Sequence, residues 1–245
     1  MNAEPSQSPD PVFERLVLIE DPVPRAVGLQ MGVDQALLET SPLPVLRTYR
    51  WDSPCVTIGY FESHAAAQRA HPALPVVRRW TGGGLVLHGA DAPYSLIVPR
   101  REAFTEVRPS DAYRLIHGLL ARYLGRRLPG VTLAQTEAPR LGSACFENPV
   151  PADLLLEGRK VGGAGQRRTR LGLLHQGSLQ LGGTGFDEVG IFASFLAYDV
   201  REASVSKDTL SLAGALALTR YDDPKWNADR GGHGNGIPPG NITPP

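Results

Sequence analysis

Apolar residues along this chain fall into short segments with two different spacings. Residues 15–20 (RLVLIE) form a compact β-branched run, the mark of a short strand. Residues 24–39 (PRAVGLQMGVDQALLE) instead set Val27, Met31, Ala36, Leu37 and Leu38 at roughly helical spacing, and Thr40-Ser41-Pro42 closes the segment, so a helix is predicted. Strands are predicted at 44–50 and 55–60 around the turn signal Trp51-Asp52-Ser53-Pro54, and again at 75–79. Two more, 85–88 and 94–98, flank the turn at 89–93. The triple glycine Gly82-Gly83-Gly84 then reads as a hairpin-level loop inside a sheet, where the backbone turns sharply or approaches a ligand.

The clearest helix is 109–124, with Ser110 as an N-cap and Tyr113, Ile116, Leu120 and Leu124 along one side. Its His117 reads as a half-buried or surface residue. Further on, strands are expected at 152–156, from Arg159, and at 171–181, with Glu157-Gly158 as a tight turn that puts Lys160 at the root of a hairpin. An amphipathic stretch at 188–195 and a helical pattern at 209–220 follow. Strands outnumber helices and adjoin through short turns, so the fold class is α+β rather than a regular βαβ alternation. The expected domains are a disordered leader at 1–12, one folded domain at 13–228, and a Gly/Pro-rich disordered tail at 229–245.

Composition narrows the function. Of 245 residues, 42% are apolar, enough for a substantial core, and 25 basic residues balance 25 acidic ones. No basic block marks a nucleic-acid face, although Arg167-Arg168-Thr169-Arg170 is locally positive. The polar, proline-rich start is no signal peptide and no apolar run is long enough to span a bilayer, so a cytoplasmic location is expected. The two cysteines lack metal-site spacing; Cys55 reads as a buried strand residue, and a Cys55–Cys145 disulfide is not expected. Neither a P-loop nor a dinucleotide fingerprint is present.

The chemistry centres on residues 143–180. A thiolate stabilised by a nearby cation can carry an acyl group as a thioester, and Lys160 is the cation expected beside Cys145. Lys160 would also bond the acyl carbonyl oxygen. His175 either orients or deprotonates an incoming amine or makes a structural bond within its strand, the latter being slightly favoured. Arg78, Arg79 and His88 flank the glycine loop and either hold a phosphate or carboxylate or stand as solvated charges.

Together MGVDQALLE, RTYRWDSPCVTIGYFE, RRWTGGGLVLHG and CFENPVPADLLLEGRKVGGAGQRRTRLGLLHQGS resemble the catalytic domain shared by lipoate–protein ligases, biotin–protein ligases and octanoyltransferases. YDDPKW is similar to the closing helix of that family. The resemblance implies a central mixed sheet flanked by helices. The cysteine ahead of the lysine turn resembles the subfamily that moves octanoyl from acyl carrier protein to a lipoyl domain through a thioester. It implies Cys145 and Lys160 as catalytic residues and Arg79, Thr81, Gly82, Gly83, Gly84 and His88 as the loop around the acyl chain or adenylate. Gly163, Ala164, His175 and Gly177 complete the implied substrate-binding set. Acceptors would be glycine cleavage H protein or dehydrogenase E2. No cofactor is implied for a transferase, whereas a ligase would need ATP and magnesium, and a non-catalytic lipoyl-binding homologue is the third reading. The chain departs from the transferase pattern at His175-Gln176, where Gln-His is more usual, and at Gly165, where alanine or no residue is expected; its three-glycine loop is the ligase form.

Overall fold

The computed structural model describes residues 10–136, 149–182 and 186–228. In chain order the elements are β1 (Phe13–Glu20), α1 (Val27–Thr40), β2 (Val45–Thr48), β3 (Cys55–Ile58), α2 (His64–Ala70), β4 (Val76–Arg78), β5 (Val86–His88) and β6 (Ala92–Pro99). After a 3-10 turn at Ala103–Glu106 come α3 (Pro109–Gly125), β7 (Val131–Leu133), β8 (Leu154–Leu156), β9 (Arg159–Thr169), β10 (Gly172–Leu179), α4 (Val189–Leu196), β11 (Ala197–Glu202) and α5 (Lys207–Leu216). A π-helical turn at Ala217–Tyr221 and α6 (Pro224–Ala228) close the described chain. Among the described residues, no helix is long and apolar enough to cross a membrane.

The strands form an eight-stranded sheet in the order β11-β1-β2-β6-β10-β9-β8-β7 and a three-stranded sheet β4-β3-β5. The large sheet is mixed, with β1 parallel to both β11 and β2 and the other pairs antiparallel. Alternation along β6 shows how it is buried: Leu96 and Val98 pack with Ile116 and Leu120 of α3 and Phe192 of α4, while Ile97 packs with Val33 and Leu37 of α1. Helices therefore cover both faces, as the family resemblance implied.

Three expectations change. The triple glycine is not a hairpin-level loop: β4 and β5 do not pair with each other but lie on opposite sides of β3, so the loop crosses that strand's end. The turn at 89–93 joins no hairpin either, because β5 belongs to the small sheet and β6 to the large one. His117 is fully buried rather than half-exposed. The expected leader reaches Val12, whose N–H donates to the Leu196 carbonyl at 2.9 Å; the remainder of the leader, at 1–9, and the tail lie outside the described residues. Elements α2, β7 and β11 are too short, or too polar along one edge, to have left a periodic signal.

Candidate active site

The pairing of β9 with β10 sets Gly163 opposite Ser178 and Gly165 opposite Gln176. The glycine loop lies directly on this pair, for a Cβ built on Gly165 would stand 2.4 Å from the Gly82 carbonyl oxygen. Only a residue without a side chain lets the loop sit there, which explains the unexpected glycine at 165. The slot so formed is lined by Met31, Tyr49, Trp51 and Val86, by Arg79, Gly83 and His88, and by the strand residues Gly163, Ala164, Gly165, Gln176, Gly177 and Ser178.

The arginines beside the loop are structural braces. Arg78 is buried and donates to the carbonyls of Gly59, Tyr60, Glu62, Trp226 and Asn227, tying α6 to the small sheet. Arg79 reaches the slot, but its guanidinium donates to Thr57 Oγ1 at 2.8 Å and to the carbonyls of Gly82 and Gly84 at 3.0 and 2.9 Å. It thus ties the loop to β3 and, at 6% exposed, is not the solvated charge that was one of the two expectations. Thr57 Oγ1 also lies 2.7 Å from His88 Nε2, and His88 Nδ1 lies 2.6 Å from Asp91 Oδ2. Burial opposes the charge on Asp91, yet His88, Ser178 and the Gly89 N–H bring its pKa below the usual value.

Thr81 is held from beneath. Its hydroxyl donates to Gln176 Oε1 at 2.8 Å, and Gln176 Nε2 donates to Asp34 of α1, also at 2.8 Å. Asp34, fully buried, is paired with Arg47 of β2 at 2.8 Å and accepts from Ser95 of β6. Three strands thus converge on one carboxylate of α1, and the glycine loop joins them through Gln176. Sequence reasoning missed it, though an acid inside the apolar stretch MGVDQALLE was a visible signal.

Lys160 is the other pole. The tight turn at Glu157 and Gly158 has φ of 51° and 76°, the mirror-image geometry that closes two-residue hairpins, and a register shift at Leu154/Leu155 follows. Lys160 Nζ then sits 2.7 Å from Asp153 Oδ2, with side-chain exposures of 2% and 1%. The same Asp153 accepts from Tyr113 Oη at 2.6 Å and from the Val150 N–H, and Tyr113 Oη in turn accepts from the Ala164 N–H at 3.0 Å. Burial first, and then the Asp153 charge, hold the Tyr113 pKa well above its ordinary value, so it stays a donor. A Cβ on Gly163 would fall 2.8 Å from Lys160 Cε, so the ammonium lies against a strand position that also lines the slot.

His175 packs beside this network, its ring centre 5.7 Å from that of Tyr113. It shares a face with Gln166, opposite to Gln176, and bonds Gln166 at 3.0 Å through Nδ1 and Tyr94 Oη at 3.1 Å through Nε2. His117 meets the same Tyr94 hydroxyl and the Ala152 carbonyl. Burial pushes His117 down to about 4 and His175 well below its ordinary value, so both are neutral. Cys55 is 1% exposed, with burial foremost and then Asp91 and Asp52 pushing its thiol up to about 12. Cys145 lies outside the described residues. Among the described residues, no group of three or more His, Cys, Asp or Glu side chains gathers as a metal site.

The family model described as the lipoyl protein ligase A/B catalytic domain matches residues 27–210. Octanoyltransferase LipM of Brevibacillus brevis is 28% identical over 262 aligned positions, covering 83% of this chain and 95% of that protein. Octanoyltransferase LipM of Geobacillus kaustophilus is 36% identical over 186, covering 69% of this chain and 65% of that protein, so the match spans just under two thirds of its length. Among solved structures, a bi-partite lipoate protein ligase of Thermoplasma acidophilum superposes with a TM-score of 0.55 at 20% identity, covering 88% and 96% of the two chains. LipL1 of P. falciparum, in complex with lipoate, gives 0.59 at 13%, covering 88% and 74%. These structural likenesses establish the fold.

Proposed function

Because the chain belongs to the lipoyl protein ligase A/B catalytic-domain family, we propose that it is an acyltransferase that moves an octanoyl or lipoyl group onto the target lysine of a lipoyl-domain protein. The observation that carries this reading is the buried Lys160 ammonium, held by Asp153 against the bare Cα of Gly163 at the edge of a glycine-lined slot.

In this reading the Cys145 thiolate adds to the carbonyl of octanoyl-acyl carrier protein. The bond to the carrier's sulfur breaks, and that sulfur leaves as a thiol after taking up a proton. The acceptor's neutral lysine amine then attacks the Cys145 thioester, the amide bond forms with loss of a proton, and the thiolate returns. Lys160 contributes a charge that favours thiolate over thiol and a donor for the carbonyl oxygen as negative charge builds there. The glycine loop and the strand at Gly163 and Gly165 wall a slot of about 30 Å³, which has to widen to take the acyl chain. The transfer consumes no cofactor, and the reduced Cys145 it requires fits a cytoplasmic setting. Glycine cleavage H protein and dehydrogenase E2 are the acceptor class.

The test supplies one lipoyl domain with octanoyl-carrier protein alone, or with octanoate, ATP and magnesium. Transfer from the carrier without ATP, lost in Cys145→Ala, is expected. Transfer only with ATP, undiminished in Cys145→Ala, would replace this reading by an adenylate-forming ligase. Binding of octanoyl species without turnover would make the chain a non-catalytic homologue.

A further inference from the structure

Beside the slot, the chain builds an alternating stack of rings and guanidinium groups in the order Tyr60, Arg167, Trp80, Arg220, Trp226. The Arg167 guanidinium carbon lies 4.8 Å from the Tyr60 ring centre and 5.2 Å from that of Trp80. Arg220 lies 4.9 Å from Trp80 and 4.8 Å from Trp226. All four distances are within cation–π range. Two cations thus share one indole.

No carboxylate lies within 4 Å of either guanidinium among the described residues. Arg167 donates to the Trp80 carbonyl at 3.5 Å and Arg220 to Gln35 Oε1 at 2.9 Å, both neutral oxygens. Burial first, with Arg220 among the further causes, lowers the Arg167 pKa, as expected of crowded cations. In a chain whose formal charge is zero, such an uncompensated pair is a local feature that an external anion would relieve.

The stack is rigid and partly open. Trp226 Nε1 donates to the Arg78 carbonyl at 2.9 Å, and Arg78 itself holds the backbone of α6. All five members are half-buried. Phe61, 57% exposed, stands edge-on to Tyr60 at 5.0 Å, and Leu218, 76% exposed, lies on the turn that carries Arg220. Tyrosine, tryptophan and arginine beside exposed apolar side chains are the composition of protein interfaces.

Resting on the transferase reading above, we infer that this ring–arginine stack is the docking face for the lipoyl-domain acceptor, engaging acidic side chains of that domain. Its place favours the acceptor over the carrier. Trp80 immediately precedes the slot's glycine loop, and Arg167 follows Gly165 by two residues on one strand face, about 7 Å along it. A lysine side chain has short reach and needs its domain held beside the slot, whereas the carrier presents its thioester on a long arm and tolerates a remote dock.

The experiment measures octanoyl transfer with the lipoyl domain and the carrier varied separately, in wild type, Arg167→Glu, Arg220→Glu, Arg167→Lys and Arg220→Lys. The glutamate variants are expected to raise KM for the lipoyl domain about ten-fold or more, with kcat, carrier KM and formation of the Cys145 acyl-enzyme held near wild type. The lysine variants keep the charge and should lie between. Should the glutamate variants misfold, glutamine variants carry the same test, since their lipoyl-domain KM should be higher and less steeply dependent on salt than that of wild type. An unchanged KM for the lipoyl domain, or a rise confined to the carrier, would overturn the docking face. Absence of transfer to any acceptor by wild type would instead overturn the transferase reading itself.

Discussion

Lys160 and Asp153 form an ion pair closed off from solvent, with Nζ 2.7 Å from Oδ2. Such a pair is maintained because each charge would otherwise be stranded, and removing one partner typically costs about 3–5 kcal/mol. Asp153→Ala is therefore expected to lower unfolding free energy by that order, and the Asp153→Ala/Lys160→Ala double variant by less than the sum of the singles. Denaturant melts of the three variants make the comparison; strict additivity would mean that the pair carries no coupling. Octanoyl transfer should fall sharply in Asp153→Ala, because Lys160 loses the group that points it at Gly163.

Gly165 and Gly82 supply a contrast within one contact. A methyl on Gly165 meets the Gly82 carbonyl at 2.4 Å, whereas one on Gly82 meets nothing within 4 Å. Overpacking of this kind costs about 1–3 kcal/mol and displaces the loop. Gly165→Ala should thus lose ten-fold or more of kcat/KM, on the order of 1.4 kcal/mol, while Gly82→Ala stays close to wild type. Equal effects of the two substitutions would contradict the loop placement.

Acid sensitivity follows from the buried histidines. His117 is neutral in the fold, its pKa pushed by burial down to about 4, below the roughly 6.5 of an unfolded histidine. Between those values the unfolded chain binds the extra proton, so stability is lost as pH falls from about 6.5 toward 4 and levels off below. The slope is at most about 1.4 kcal/mol per pH unit for each such histidine, and His175 adds to it in the same direction. Melting temperature against pH should show this fall, and His117→Gln should flatten it; an unchanged slope would mean His117 is protonated in the fold.

The two cysteines should differ in reactivity. Burial pushes the Cys55 thiol up to about 12, so it has almost no thiolate at neutral pH. A small alkylating reagent should label the native protein once, at Cys145, and the denatured protein twice. Labelling at Cys145 should slow in Lys160→Ala if the ammonium lowers that thiol's pKa.

Much of this architecture was readable because it rests on local patterns. The helix at Pro109–Gly125 carries its apolar side at helical intervals, and the Glu157-Gly158 turn names its own geometry. What escaped was set by distant partners. Nothing near Asp34 in the chain reports that Arg47, Ser95 and Gln176 converge on it, and nothing near Arg78 and Arg79 reports that α6 and the glycine loop bring carbonyls to them. His117 was misplaced for the same reason: its burial depends on Tyr94 and the Ala152 carbonyl, which arrive from other strands and turns. The glycine at 165 looked anomalous in one dimension and became necessary in three.

The most direct measurement is the intact mass of the protein after brief exposure to octanoyl-acyl carrier protein with no acceptor present. The account predicts one octanoyl group gained by wild type, lost again on adding a lipoyl domain, and no gain by Cys145→Ala. A wild type that gains no mass yet still octanoylates the lipoyl domain would contradict it.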